Sequence, residues 1–253
     1  MVGIVVPTLG VRPDLLYVCL SSLRRAGVDF ILIVAPIEID LKAFFELGLV
    51  DRVVPDAKRG LAAAINAGIE ALPVDVSVVG WLGDDDYLLT SSCKQFVEAL
   101  TNNSSAVMAY GSCRYVDIQG RQIWQNRSGQ FASKILLFGP CLIPQPGSLV
   151  KRTAFESVGG LNEDLGWAFD LDLFIKLSKI GTLQFIKQEV AAFRWHTGSL
   201  TVSFRRKSVI EASSVRLSHI NPFMRKLSFL WEPIIRLITL HSRMLVSDKY
   251  NKK

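Results

Sequence analysis

Short apolar segments rich in β-branched residues alternate with helical patterns in the first half of the chain. Residues 2–7 and 30–34 are apolar at successive positions, which is typical of strands buried on both faces of a parallel sheet. Between them, residues 14–26 repeat leucines at helical spacing, and Gly27 follows as a C-terminal stop. This strand–helix–strand unit predicts an α/β fold, in which ligands bind beyond the carboxyl ends of the strands.

The same alternation continues and then changes character. Four more elements complete a doubly wound half of the chain. They are a third strand at 53–54, a helix at 61–72, a buried strand at 74–82 and a helix at 91–100. The second half predicts an antiparallel hairpin from 107–116 and 122–124, strands at 148–150, 183–186 and 190–195, and a helix from about Phe169. From residue 203 onward the pattern is helical, and Pro222 separates two helices.

Composition restricts the class of protein. The 253 residues are 49% hydrophobic and 21% charged, which indicates a globular chain with one large domain or one domain and an appendage. No run approaches the ~18 apolar residues of a membrane span, and the N-terminus lacks the pattern of a signal peptide, so we expect a cytoplasmic protein. The four scattered cysteines predict buried, reduced thiols.

The net charge of +6 is concentrated at the C-terminal end. Residues 205–253 contain 11 Lys and Arg against 3 Asp and Glu, a net +8, whereas the preceding 204 residues have 18 against 20, a net −2. This distribution favours a local electrostatic contact, such as one with anionic lipid, and argues against a nucleic-acid groove.

Three adjacent carboxylates, Asp84, Asp85 and Asp86, follow the buried strand at 74–82. They repel one another, and their position next to a buried strand favours a compensating cation. Carboxylate oxygens at a strand end suit Mg²⁺ or Mn²⁺ carrying a diphosphate. The alternative is a solvated acidic turn.

Two further segments carry candidate side chains. Asp170 and Asp172 diverge by about 200° on a helix, so one faces a pocket and the other is structural. Asp170 also fits a capping role in the first helical turn. His196 follows a strand and precedes a loop, where a ligand role and a surface histidine both remain open.

The loop at 8–13 lies between the first strand and the first helix, so its amides and Arg12 could meet a phosphate or a base. It matches neither Gly-x-Gly-x-x-Gly nor a Walker sequence, which argues against dinucleotide dehydrogenases and P-loop NTPases.

Six segments in order, covering about residues 2–200, together resemble the family 2 inverting glycosyltransferases of GT-A fold. They are Val-Val-Pro-Thr at 5–8, the Gly- and Asn-containing helix at 60–68, Trp-Leu-Gly-Asp-Asp-Asp at 81–86, Gln145 to Gly160-Leu-Asn, Asp-Leu-Asp at 170–172, and Arg-Trp-His-Thr-Gly-Ser at 194–199. The resemblance implies a Rossmann-like, mostly parallel sheet with flanking helices, divided into a donor half (1–100) and an acceptor half (101–204) and followed by a basic helical tail (205–253).

The resemblance also implies roles. A nucleoside diphosphate-sugar would contact Pro7, Thr8, Arg12, Asp84 and Asp85. The Asp-x-Asp (DxD) pair Asp84 and Asp86, with His196, would hold Mn²⁺ or Mg²⁺. Asp170 would be the catalytic base, and the predicted acceptor contacts are Gln145, Trp167 and Asp172.

The chain departs from the family pattern in two places. Residues 33–37 read Ile-Val-Ala-Pro-Ile where the family commonly has Val-Asp-x-x-Ser, so the family's aspartate contact with the nucleobase of the donor is missing. Ile65 stands where the family often has Arg before the helical Asn, and Lys58, Arg59 or Arg12 are candidates for the missing charge.

The tail at 222–246 predicts a basic amphipathic helix that contains Trp231. It would contact an anionic membrane surface, its own domain or a second subunit in a homodimer. A membrane contact would suit a glycan or lipid-linked glycan acceptor in cell-envelope or surface polysaccharide synthesis at the inner face of the membrane. Two other functions stay open: a sugar nucleotidyltransferase, whose Gly-rich basic loop is not evident at 8–13, and a non-catalytic binding protein of degenerate fold.

Overall fold

A nine-stranded sheet organises the computed structural model, which describes residues 1–126, 129–199 and 203–251. Its first half is parallel, with the spatial order β3 (Arg52–Pro55), β2 (Phe30–Ala35), β1 (Val2–Pro7) and β4 (Val78–Trp81). Helices α1 (Pro13–Ala26), α2 (Lys42–Glu46) and α3 (Leu61–Glu70) connect these strands. The predicted α/β alternation is therefore confirmed, and α2 is an addition that sequence patterning missed.

The second half of the sheet is mixed. After β4 come β8 (Ser148–Lys151), β6 (Ala106–Val116), β9 (Thr182–Arg194) and β5 (Tyr87–Leu88), while β7 (Gln122–Asn126) pairs with β6 in the predicted hairpin. The flanking helices are α4 (Ser92–Asn102), α5 (Arg152–Ser157) and α6 (Phe169–Ile180), with 3₁₀ turns at Ala132–Ile135 and Gln145–Gly147. Strand β9 runs parallel to β6.

Two strand predictions are wrong in extent. The segment at 74–82 forms a strand only over Val78–Trp81, because a turn precedes it, in which the N–H of Val76 donates to the carbonyl of Pro73, and Val74 is 97% exposed. The two strands predicted at 183–186 and 190–195 are the single strand β9. Its register against β6 shifts near Ser112, so the polar residues between the apolar runs are accommodated as an irregularity within one strand.

The core lies on both faces of the parallel half. Alternate residues of β1 and β2 point to opposite faces, so Val5 and Leu32 belong to one buried cluster and Ile4 and Ile31 to the other. Helix α3 approaches β1 closely at Gly68, where an added Cβ would lie 2.5 Å from Val5 Cγ1. The glycine therefore sets the distance between helix and sheet. Three of the four free cysteines are buried, as predicted, and Cys141 is partly exposed.

A helical extension completes the chain. It consists of α7 (Arg205–His219), α8 (Pro222–Leu227), a 3₁₀ turn (Ser228–Leu230) and α9 (Glu232–Asn251), while Lys252 and Lys253 of the predicted tail lie outside the described residues. Helix α7 packs on α6, and α9 packs on α7 and β7. A buried ion pair joins Arg216 Nε to Glu232 Oε1 at 2.7 Å. Within the described part of the chain, no helix is long and apolar enough to cross a membrane.

Candidate active site

A cavity of about 770 Å³ opens beyond the carboxyl ends of β1 and β4. This volume is in the range of small-molecule sites, and the position is the one expected for ligands in an α/β sheet. The cavity brings together nine of the eleven predicted site residues, all except Asp172 and His196: Pro7, Thr8, Arg12, Asp84, Asp85, Asp86, Gln145, Trp167 and Asp170.

Asp84 is fixed by the loop that follows β1. Thr8 Oγ1 donates to Asp84 Oδ2 at 2.6 Å, and Arg12 Nη2 donates to Asp84 Oδ1 at 2.8 Å. The loop turns at Gly10, whose φ of +70° favours glycine and whose N–H donates to Thr8 Oγ1. Burial raises the pKa of Asp84, although Thr8 and Arg12 oppose the shift.

Asp85 forms a triad with Arg12 and His196. Asp85 Oδ2 lies 2.9 Å from Arg12 Nη1 and 2.8 Å from His196 Nε2. The N–H of Gly198 donates to His196 Nδ1 at 3.1 Å, and Arg12 Nη1 also lies 3.1 Å from His196 Nε2. Burial opposes ionisation of Asp85, but His196 and Arg12 outweigh it and lower the pKa of that carboxyl. Both ring nitrogens are thus engaged, and a metal-ligand role for His196 would require the Asp85 contact to open.

Asp86 is joined to the end of β9. Its Oδ1 accepts the backbone N–H of Arg194 at 2.7 Å, and the Arg194 side chain donates to the carbonyls of Asp85 and Ile118. Burial and the neighbouring Asp85 charge raise the pKa of Asp86, despite the Arg194 N–H. Arg194 therefore fixes the backbone of the acidic cluster against β9. The sequence indicated this residue only as a member of the segment at 194–199 and gave it no role of its own.

The acidic cluster can be compared with two kinds of metal site, one built by protein side chains alone and one completed by a bound nucleotide. In the three described ranges, no group of three or more His, Cys, Asp and Glu side chains is arranged to hold a metal ion. Nucleotide-associated Mg²⁺, however, is commonly held by one or two carboxylates together with substrate phosphates and water. Asp84 and Asp86 line the cavity wall, and their carboxylate oxygens are of the type that such an ion accepts as ligands.

Asp170 occupies the first turn of α6 and lines the same cavity. Its Oδ1 accepts the N–H of Leu171 at 2.8 Å. Burial raises the pKa of Asp170 to about 6, against the opposing effects of the Leu171 N–H and the Arg243 charge. A carboxylate with this pKa is suited to accept a proton near neutral pH.

Asp172 is placed differently from the prediction. It is 5% exposed and is bound by His219 Nε2 and Lys176 Nζ, each at 2.7 Å. The two-residue separation from Asp170 turns it away from the cavity, as the helical geometry requires. We therefore replace the predicted acceptor contact with a structural role, in which Asp172 joins α6 to α7.

Gln145 and Trp167 lie at the cavity with partners of their own. Gln145 Nε2 donates to the carbonyl of Trp81 at 2.7 Å, which ties the loop before β8 to the end of β4. The Trp167 ring packs on Phe204 with centroids 5.6 Å apart, and Lys207 Nζ lies 5.7 Å from the Trp167 centroid. Their acceptor roles remain predictions.

Sequence reasoning missed a residue that shapes the site from the extension. The Glu211 carboxylate on α7 accepts the N–H groups of Gly166, Trp167 and Ala168 at 3.0, 2.6 and 2.6 Å. These amides precede the helix that carries Asp170, and no local pattern links them to α7. Other cavity residues to which the sequence analysis assigned no individual role are Asp56, Tyr115, Phe193, Trp195 and Arg243.

Known structures share this fold. The chain matches a crystal structure of Staphylococcus aureus TarS residues 1–349 in complex with UDP-GlcNAc, with a TM-score of 0.64, 12% identity and coverage of 86% of this chain and 66% of that one. It also matches the mannosyltransferase PcManGT from Pyrobaculum calidifontis in complex with GDP-Man and Mn²⁺, with a TM-score of 0.65, 16% identity and coverage of 98% and 73%.

These matches show the predicted GT-A fold, a mixed sheet with flanking helices. The chain spans slightly less than two thirds of the TarS 1–349 structure, at 64%, and 44% of a longer TarS structure. No protein-family model and no curated protein sequence matches the chain.

Proposed function

We propose that this protein is an inverting glycosyltransferase that moves a sugar from a nucleoside diphosphate-sugar to an acceptor hydroxyl with the help of a divalent metal. The observation that carries the proposal is the shared cavity, which holds the acidic cluster Asp84–Asp86 and, separately, Asp170 with a raised pKa. The complexes of TarS with UDP-GlcNAc and of PcManGT with GDP-Man and Mn²⁺ support a donor of this class.

The donor would lie along the ends of β1 and β4. Pro7, Thr8 and Arg12 line that side of the cavity, with Val34, Asp56 and Lys58 nearby. Asp56 and Lys58 are the candidates for the nucleobase and ribose contacts that the missing family aspartate leaves unassigned, because they line the cavity together with Val34. Asp84 and Asp86 would hold the Mn²⁺ or Mg²⁺, which when bound neutralises charge on the departing diphosphate.

Asp170 would perform the proton transfer. Its carboxylate would take the proton of the acceptor hydroxyl while that oxygen attacks the anomeric carbon from the face opposite the diphosphate. One displacement inverts the configuration. Gln145 and Trp167 are the proposed acceptor contacts, and the proposed acceptor is a glycan or lipid-linked glycan of cell-envelope or surface polysaccharide synthesis.

Thermal unfolding with a panel of nucleotide-sugars tests the proposal, because a ligand that binds the folded state raises its stability. UDP-, GDP-, CMP- and dTDP-sugars are each added with Mn²⁺ or with a chelator. We expect one base to give a metal-dependent rise in Tm that Asp86→Ala removes and Asp170→Asn preserves, while Asp170→Asn abolishes sugar transfer.

Two results would contradict parts of the proposal. Equal donor affinity with and without metal, in the wild type and in Asp86→Ala, would remove the metal assignment. No shift with any donor would favour a non-catalytic binding protein on the same fold.

A further inference from the structure

Helix α9 exposes a group of apolar side chains, while three of its charged side chains, Glu232, Arg236 and Arg243, bond to the rest of the protein. Its Glu232 is buried against Arg216, and Arg236 and Arg243 donate to the hydroxyls of Ser213 and Ser208. The exposed large apolar residues of the helix are Ile234 (56%), Leu237 (68%), Ile238 (51%), Met244 (55%) and Leu245 (42%). Their spacing places them along one side of the helix. An exposed helix of a globular protein normally has the opposite arrangement.

The segment before α9 extends this feature. Phe223 in α8 is 70% exposed, and Phe229 and Leu230 in the 3₁₀ turn are 67% and 59% exposed. The turn packs against both α8 and α9. Single exposed apolar residues need no explanation, whereas a group on adjoining elements marks an interaction surface. We call these eight residues the apolar face: Phe223, Phe229, Leu230, Ile234, Leu237, Ile238, Met244 and Leu245.

The charges beside the apolar face are mainly positive. Arg225 and Lys226 are exposed in α8, and Lys249 is exposed near the end of α9. Glu232 is neutralised by its buried ion pair with Arg216, so Asp248 is the exposed acidic residue of this segment within the described residues. The surface therefore combines apolar side chains with a cationic border.

We propose that the apolar face docks on an anionic membrane surface. Apolar side chains with adjacent Lys and Arg match the acyl boundary and the anionic headgroups of such a surface. A symmetric contact between two copies is the other possible occupant, and the oligomeric state of the variants distinguishes it.

The docking proposal does not depend on the proposed function, but the docking helix also contributes a residue to the proposed active-site cavity. Arg243, on the inward side of the same helix, lines the cavity that contains Asp170. Docking through α9 would therefore bring the cavity wall that Arg243 forms to within one helix diameter, ~10 Å, of the lipid surface, where a lipid-linked acceptor would be presented.

Vesicle sedimentation tests the docking. The full chain is mixed with vesicles of phosphatidylcholine alone and of phosphatidylcholine with phosphatidylglycerol, at low and high salt. We expect binding to the anionic vesicles that salt weakens, and a loss of about tenfold or more in the double variant Phe229→Asp/Leu237→Asp, because two apolar contacts are replaced by charges that anionic lipid repels. Lys226→Glu should weaken binding to a smaller extent.

The matched control replaces two other apolar residues that are also more than half exposed. Leu47→Asp/Val74→Asp changes side chains that are 61% and 97% exposed in the first half of the chain, and it should bind vesicles as the wild type does. All variants should keep the wild-type Tm and the donor-induced rise in Tm, so loss of docking is distinguishable from failure of the proposed function.

Three outcomes would overturn the proposal. The first is a wild type that does not sediment with anionic vesicles. The second is a control variant that loses binding as much as Phe229→Asp/Leu237→Asp does. The third is a wild-type dimer in analytical ultracentrifugation that the Phe229→Asp/Leu237→Asp variant dissociates, which would assign the apolar face to a second copy.

Discussion

The carboxylate of Glu211 accepts a hydrogen bond of 2.6 Å from the backbone N–H of Trp167, although the two residues are 44 positions apart in the chain. The same carboxylate also binds the N–H groups of Gly166 and Ala168. The helical extension thus holds the turn from which α6 begins, and with it the position of Asp170. The extension is part of the site and not an appendage to it.

Glu211→Gln should loosen this turn. A neutral amide oxygen replaces a charged acceptor of three N–H groups, so we expect a loss of about 2 kcal/mol in the free energy of unfolding. Hydrogen–deuterium exchange should increase at residues 166–168, and kcat should fall more than donor affinity. Glu98→Gln, which alters an exposed pair with Lys94, is the control and should change neither. Unchanged exchange at 166–168 would contradict the positioning role.

Sugar transfer should depend on the ionisation of Asp170. Because burial raises the pKa of Asp170 to about 6, the carboxyl is protonated and inactive as a base below that pH. We expect kcat to rise as pH increases through about 6 and then to level off. A pH–rate profile in single-turnover conditions measures this, and a rate that does not change between pH 5 and 7 would argue against Asp170 as the base.

Asp170→Asn should stabilise the protein at neutral pH. The folded-state pKa of Asp170, about 6, is higher than the unfolded value near 3.9, so its contribution to stability is present below pH 4 and lost as pH rises through 6. After a discount for partial solvent screening, the variant should exceed the wild type by about 1–2 kcal/mol at pH 7. Urea unfolding at pH 7 and pH 4 checks this, since the difference should vanish at the lower pH.

Arg12→Met should destabilise the acidic cluster. Arg12 contacts Asp84 and Asp85 at 2.8 and 2.9 Å, and both carboxylates are largely buried. We expect a loss of about 2 kcal/mol in unfolding free energy, less than for a fully buried pair because Arg12 itself is 31% exposed. Donor binding should also weaken.

The control for Arg12→Met is Lys42→Met. It breaks the exposed contact between Lys42 and Glu46 at 3.6 Å and should cost about 0.5 kcal/mol or less. Equal losses in the two variants, measured by chemical denaturation, would show that Arg12 has no special role in neutralising the cluster.

Glu232→Gln should weaken the attachment of the extension. It leaves Arg216, whose side chain is 3% exposed, without its charged partner, and such a change costs about 3 kcal/mol. Despite burial, Arg216 and Ser213 lower the pKa of Glu232, so the stability it contributes is present above about pH 4.3 and is lost as pH falls. The gap between wild type and variant in thermal unfolding should therefore narrow in acid. A gap that stays constant down to pH 3 would contradict this linkage.

The sequence alone predicted the parallel half of the fold and nine of the residues that line the cavity. Strands buried on both faces read as continuous apolar runs, and Asp84, Asp85 and Asp86 follow such a run directly. Local patterning did not predict the extent of β9, because its register shift depends on pairing with β6. Local patterning also did not show which of Asp170 and Asp172 faces the cavity, because that depends on the residues that pack around α6.

The sequence by itself determined the local features of this protein, because they depend on the residue types of near neighbours. These features are the strands and helices, their turns and caps, and the acidic loop at the end of a strand. What only the tertiary structure decided are contacts between distant residues, such as His196 with Asp85, His219 with Asp172 and Glu211 with Trp167, which are 111, 47 and 44 positions apart. Hydrogen bonds and desolvation act over a few ångströms in space, whatever the separation along the chain, so the lowered pKa values of Asp85 and Asp172 arise only when the fold brings their partners to them.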